Sequence, residues 1–238
     1  MIRIREVALS AGLLLSGFSA CGVAGAQQQQ MAPVAATNGV QREAIEWLDI
    51  WVADTQVTNL PRVLLIGDSI TRAYYPEVES DLKGKAVVAR LATSKCAGDP
   101  VLLQEVALLL GQYHFDVIHF NNGMHGWGYS EQTYEDGIRQ LIDLLRKDAP
   151  GARLIWATTT PVREKSDLSR LDPRTERVQA RNQLADALMV KDNIPVDDLY
   201  PLVLKHPEYW KPDGVHFNES GTAVEAAQVA QEISKLLK

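Results

Sequence analysis

Three residues of this chain are of types that together make a nucleophile. Ser69 stands in "VLLIGDSIT", where four aliphatic residues give way to a glycine, an acid and a serine. A serine hydroxyl is a poor nucleophile alone; it needs a base, and the base needs an orienting partner. Asp213 and His216, three positions apart in "YWKPDGVHFNESG", supply both types. A loop aspartate beside a histidine holds the ring with Nδ1–H towards the carboxylate, and Nε2 is then open to take the serine proton. Taken singly, each fragment reads otherwise. Asp68 or Ser69 reads as a helix cap, and an Asp-x-x-His reads as a structural turn. A phosphate loop is a poor fit, because "GDSITRAYY" lacks the second glycine and the lysine that such a loop requires.

These residues lie far apart in sequence, so the elements between them must bring them together. "PRVLLIGDS" predicts a first strand, 86–91 a second, "FDVIHFNNG" a third, "ARLIWATTTPV" a fourth and "IPVDDLYPL" a fifth. Helices are predicted between them: over 102–110 with Gly111 as its stop, after Ser130 as a cap, over "RTERVQARNQLADALMVKDN", and over the closing "SGTAVEAAQVAQEISKLLK". A further helix is predicted over "QREAIEWLDIWVADTQ", where Ile45, Leu48, Trp51 and Val52 recur on one helical face. Aliphatic strands alternating with helices indicate a five-stranded parallel sheet covered on both sides. Ligands of such sheets bind beyond the carboxyl ends of the strands. Ser69 is at one of those ends, and Asp213 and His216 come just before the last helix.

With "GDSIT" early and "PDGVHFNESG" late, the chain resembles the SGNH, or GDSL-type, hydrolases over residues 61–238. The resemblance implies an α/β fold, the flavodoxin-like three-layer α/β/α sandwich. It implies Ser69 as nucleophile, His216 as general base and Asp213 as the acid that orients it. The family draws one oxyanion donor from a glycine N–H after the second strand, and Gly98 in "TSKCAGDP" is the match. It draws another from an Asn in Gly-x-Asn-Asp after the third strand. Here that strand leads into "FNNGMHGW", which puts Gly123 at the glycine and His125 where the Asn would stand. An imidazole N–H donates as an amide does, so His125 is the expected donor, with Asn122 as the alternative and Asn121 within reach of a small loop shift. The plain reading of both asparagines is a polar turn.

The remaining features set limits. The chain has 238 residues, a formal net charge of -6, 46 % hydrophobic and 23 % charged residues, which fits one sizeable globular domain. A net negative surface without a basic patch argues against nucleic acid. Residues 1–26 carry Arg3 and Arg5, a short apolar run and Ala24-Gly25-Ala26, the pattern of a secretory signal peptide. Residues 27–40 then form a polar linker, and 41–238 the hydrolase domain. A lipid on Cys21 is the rival reading of the leader. Export implies a secreted or periplasmic protein with no stable membrane insertion after processing. With Cys21 removed, Cys96 is the one thiol, expected as a small buried residue rather than a nucleophile. His119 is expected inside a strand, and His114 and His206 exposed. A metal site from His119, His125 and His216 is conceivable, but no His-Glu-x-x-His spacing supports it, so neither metal nor other cofactor is expected. Of six aromatics near the motifs (Tyr74, Tyr75, Trp127, Tyr129, Tyr209, Trp210), about two are expected to reach substrate.

The resemblance implies ester hydrolysis. The export signal and the aromatics suggest a short acyl group, acetyl foremost, on a small-molecule or oligosaccharide substrate. A lipase or lysophospholipase with the same triad, a non-catalytic glycan-binding relative and a phosphate- or flavin-binding protein are the competing readings.

Overall fold

A computed structural model describes residues 39–237 of the chain. The signal-peptide and Cys21 expectations, and nearly all of the 27–40 linker, lie outside the described residues. Among the described residues, eight strands and six helices follow one another: β1 (Leu48–Val52), β2 (Arg62–Gly67), α1 (Ser69–Asp81), β3 (Val87–Thr93), α2 (Pro100–Leu110), β4 (Val117–Phe120), α3 (Glu131–Asp148), β5 (Arg153–Ala157), β6 (Arg163–Glu164), β7 (Asp167–Leu171), α4 (Arg174–Asp192), β8 (Val196–Asp197), α5 (Leu199–Leu204) and α6 (Glu219–Leu236). A 3-10 turn, Pro207–Tyr209, precedes the Asp213–His216 loop.

The main sheet has six strands in the order β1-β3-β2-β4-β5-β8. The five from β3 to β8 are parallel, and their order is that of the flavodoxin-like fold. Alternation within β2 explains the layering. Val63 and Leu65 enter a core with Tyr74 and Val78 of α1 and Val229 and Ile233 of α6. Leu64 and Ile66 enter a second core with Leu102 of α2, Ile138 of α3 and Leu188 of α4. A strand buried on both faces must be aliphatic throughout, since successive side chains point to opposite faces. The α/β/α sandwich expected from the sequence is therefore present.

The structure departs from the expected elements at three places. The stretch predicted as a helix over 41–56 holds β1, an edge strand antiparallel to β3 that makes the sheet six-stranded rather than five. Its apparent helical face is not a buried face: Ile45, Leu48 and Trp51 are 76, 44 and 55 % exposed. Ile50 and Val52, two apart, are the residues that pack on the core. A three-to-four spacing in a short apolar run does not separate helix from strand, and pairing with β3 decided it. Second, the polar run "REKSDLSRL" forms an antiparallel hairpin of β6 and β7. Third, the predicted fifth strand shrinks to Val196 and Asp197, and the chain turns at once into α5.

Candidate active site

At the end of β2 the chain must turn sharply into α1. A Cβ on Gly67 would lie 2.0 Å from Thr71 Oγ1, so the turn leaves no room for a side chain there. Asp68 then caps the helix, its Oδ1 accepting the Ile70 N–H at 2.8 Å. The cap and the candidate nucleophile are thus adjacent but distinct residues. Because Asp68 satisfies the helix end, the Ser69 hydroxyl is left for another partner.

That partner is His216. Ser69 Oγ lies 2.8 Å from His216 Nε2, across 147 positions of sequence. His216 Nδ1 lies 2.9 Å from Asp213 Oδ2. The other oxygen of Asp213 accepts the backbone N–H groups of Val215 and His216, each at 2.8 Å. This tight turn needs Gly214 at φ +71, where a Cβ would strike the Arg163 carbonyl oxygen at 2.1 Å. The Arg163 N–H also donates to Gly214 O at 2.8 Å, so the β6–β7 hairpin props the loop from behind. Burial opposes ionisation of Asp213, but the two backbone donors and the His216 ring outweigh it and hold its carboxyl below the usual range. An ionised Asp213 keeps the His216 proton on Nδ1 and leaves the Nε2 lone pair facing the hydroxyl.

Ser69 and His216 open into a cleft of about 420 Å³. His125 lines the same cleft, with Met124, Trp127, Arg174 and Val215. His125 Nδ1 is 2.9 Å from Glu43 Oε2. Its loop is held from below by Arg181 of α4, which is 1 % exposed and donates to the carbonyls of Gly123 (2.8 Å), His125 (2.8 Å) and Gly126 (2.9 Å). Burial pulls the Arg181 guanidinium below its ordinary range, which three charge-assisted hydrogen bonds to carbonyls help to offset.

The other expected oxyanion residues stand elsewhere. Asn122 spends its side chain on backbone, accepting from Ala97 N at 2.8 Å and donating to Lys95 O at 2.9 Å. Asn121 donates to Ala157 O and Thr159 Oγ1. Both are buried, as polar-turn residues would be. Gly98 is absent from the cleft lining; a Cβ there would meet the Tyr129 ring at 2.9 Å, and its N–H faces the Cys96 thiol. Of the expected donors, His125 is the side chain that shares the cleft with Ser69 and His216.

The aromatics are mostly structural. Tyr74, Tyr75, Tyr129 and Trp210 are buried, Tyr209 packs against the core, and Trp127 alone of the six lines the cleft. His114 is exposed and His206 half-buried, whereas His119 is fully buried against Asp197. Cys96 is buried, and burial pushes its thiol up, which suits an inert residue. Among the described residues, no group of three or more His, Cys, Asp or Glu is placed to hold a metal ion, and no helix is long and apolar enough to cross a membrane.

The sequence reading missed the cleft wall made by Gln41, Arg42, Glu43 and Ala44. Arg42 pairs with Asp99, and Gln41 N donates to the Tyr129 hydroxyl at 2.7 Å. Arg174, also missed, enters from the start of α4 and is gripped by Asp172 through two hydrogen bonds of 2.8 and 3.0 Å. No local pattern marks these positions; they are defined by what folds beside them.

Comparison with known proteins places this geometry. No curated protein sequence matches the chain. Among solved structures, a carbohydrate acetylesterase family member from Sinorhizobium meliloti superposes with a TM-score of 0.60 at 18 % identity, covering 75 % of this chain and 99 % of that one. The acetyl xylan esterase AlAXEase gives 0.57 at 22 % identity over 72 % and 99 %. A GDSL-like lipase from Bacteroides thetaiotaomicron VPI-5482 gives 0.56 at 19 % identity over 73 % and 88 %. At these identities the likeness is one of fold. The sequence profile of the GDSL-like lipase/acylhydrolase family matches residues 65–224, about two thirds of the chain and the whole span from Ser69 to His216, and the chain belongs to that family.

Proposed function

We propose that this protein is an exported serine esterase that removes short acyl groups, acetyl foremost, from a carbohydrate. One observation carries the reading: Ser69, His216 and Asp213 stand in a hydrogen-bonded line of 2.8 and 2.9 Å, with Ser69 and His216 lining a cleft. Ser69 Oγ attacks the ester carbonyl carbon while His216 Nε2 takes its proton. The oxyanion that forms is met by the Ser69 N–H at the start of α1 and by His125. The tetrahedral species collapses, His216 protonates the departing sugar hydroxyl, and the acyl group stays on Ser69. Water then repeats the cycle, losing a proton to His216, and the acid leaves.

The cleft lining supports the small acyl size. Its aliphatic residues are few, Ala44, Met124 and Val215, and Arg42, Glu43 and Arg174 bring charge to it. Such a site suits a small acyl group and a hydroxylated alcohol better than a long chain. Trp127 offers one flat face for a sugar ring. Acetylesterases on carbohydrates are among the structural neighbours. The leader pattern of residues 1–26 supports export, to the periplasm or out of the cell.

Acetate release from a panel of acetylated polysaccharides, beside p-nitrophenyl acetate and p-nitrophenyl palmitate, tests the reading. Acetate release with preference for the short ester supports it. Faster cleavage of the palmitate would make the protein a lipase, and no turnover of any ester would make it a glycan-binding relative.

A further inference from the structure

The cleft holds a second carboxylate–imidazole pair. Glu43 lies in the segment before β1, 82 positions from His125. Its Oε2 meets His125 Nδ1 at 2.9 Å, and its Oε1 accepts the Gly126 N–H at 3.1 Å. One carboxylate therefore grips both the ring and the backbone after it. Glu43 lies outside residues 65–224, so membership of the family says nothing about it.

We propose that Glu43 is a positioning residue that makes His125 a cationic oxyanion donor. The inference rests on the esterase reading above and on His125 as the donor. It follows from counting protons. A carboxylate has no proton to give, so the hydrogen bond at Nδ1 is donated by the ring. A neutral imidazole carries one N–H. With that proton on Nδ1, Nε2 presents a lone pair, which repels an oxyanion. Nε2 donates only when the ring is doubly protonated, and an anion behind the ring is what stabilises that form. An amide side chain in this place would need no such partner. The histidine in the third motif thus calls for an acid, and Glu43 is that acid.

The surroundings of His125 fit this assignment. Arg181 binds the His125 carbonyl rather than the ring. Arg42 and Arg174 line the cleft, but Asp99 and Asp172 already pair with them. His216, in the same cleft, has its own carboxylate. Trp47 packs edge-on to the His125 ring with centroids 6.2 Å apart, and the Arg72 guanidinium lies over the Trp47 ring, 4.7 Å from its centroid. Among the described residues, Glu43 is the acid that meets a ring nitrogen of His125. The two histidines then need opposite protonation at Nε2: a lone pair on His216 to accept the Ser69 proton, a proton on His125 to donate. During acylation one proton moves, from Ser69 Oγ to His216 Nε2; His125 donates a hydrogen bond and ends as it began.

The test is the pH profile of kcat and kcat/KM with p-nitrophenyl acetate for the wild type, E43Q, H125N, H125A and E43Q/H125N. The wild type is expected to give a bell, losing activity in acid and in alkali. E43Q is expected to lower kcat about ten- to a hundredfold, part of the value of one oxyanion donor, with KM little changed. It should also move the alkaline limb to lower pH, since the carboxylate that meets Nδ1 is what favours the doubly protonated ring. H125N is expected to turn over with no alkaline limb, and adding E43Q to it should cost less than about threefold, because the coupling is gone. A merely structural Glu43 would lower thermal stability, leave the alkaline limb in place and cost as much in the H125N background as alone; that pattern overturns the proposal. E43Q with a wild-type profile beside a crippled H125A removes Glu43 and keeps the donor. An H125A enzyme at the wild-type rate removes the donor itself, and the proposal with it.

Discussion

His216 with Asp213 and His119 with Asp197 are chemically the same pair, each with nitrogen and oxygen 2.9 Å apart. Their settings differ. His216 sits in a loop beyond the sheet, its side chain 39 % exposed, and it pairs through Nδ1 so that Nε2 meets Ser69. His119 sits within β4, wholly buried, and pairs through Nε2; its Nδ1 has no partner. The buried pair is braced by Gln228, which donates to Asp197 Oδ1 at 2.7 Å, and by Tyr74, edge-on to the imidazole. The pair alone therefore does not make a catalyst. Which nitrogen points outward, and whether a hydroxyl and a cleft lie before it, decide between chemistry and structure.

Substitutions on the two pairs break or sharpen that contrast. The largest loss is expected from Ser69→Ala, which removes the hydroxyl His216 serves: ester turnover should fall by about 10⁴-fold or more while the melting curve stays put. Near-normal turnover would exclude Ser69 as nucleophile. Asp213→Asn should cost about 10³–10⁴-fold in kcat with little change in KM, because an amide no longer holds the proton on Nδ1; a loss under tenfold would show that the loop orients the ring without the charge. His125→Ala comes next, with about 10²–10³-fold lower kcat if it is the oxyanion donor, read in the same assay.

The buried pair should answer the other way. Asp197→Ala leaves the His119 ring without either partner in the core and should lower unfolding stability by about 2–4 kcal/mol in urea titration. Its folded fraction should keep the wild-type kcat within a factor of about two or three, an expectation for a pair outside the cleft lining. A loss of turnover as large as that of Asp213→Asn would erase the distinction. The smallest effect concerns Glu225, which is 1 % exposed on α6. Burial raises its carboxyl well above the ordinary value of 4.5, and the charges of Asp68 and Asp197 raise it further. The native state therefore holds this proton more tightly than the unfolded chain does. Its contribution is complete below the unfolded value and is lost as pH rises towards the native one. Glu225→Gln should flatten that decline, seen as a melting temperature that falls less between acid and alkaline pH; equal slopes in both proteins would mean that Glu225 is not the group responsible.

The contrast also shows where sequence reading works. "GDSIT" and "PDGVHFNESG" are legible because their geometry is local. The Asp213–His216 contact closes over three positions, and the Asp68 cap over two. Aliphatic runs in β2, β3, β4 and β5 are legible because a strand buried on both faces admits little else. The edge strand β1 is not legible. One of its sides is open, so its pattern is loose, and its partner β3 lies some forty positions away. The hairpin of β6 and β7 is polar and exposed, and the hydrophobic pattern had nothing to report there.

From the residues alone came the layered α/β architecture, the candidate nucleophile, its base and the acid behind it, since each depends on neighbours in the chain or on burial that composition records. Tertiary structure alone decided which histidine faces the hydroxyl, that Gly98 and both asparagines lie outside the cleft lining, and that Glu43 reaches His125. Those facts depend on distances between segments tens to more than a hundred positions apart, and chain folding sets such distances without leaving a periodic or local trace in the residues themselves.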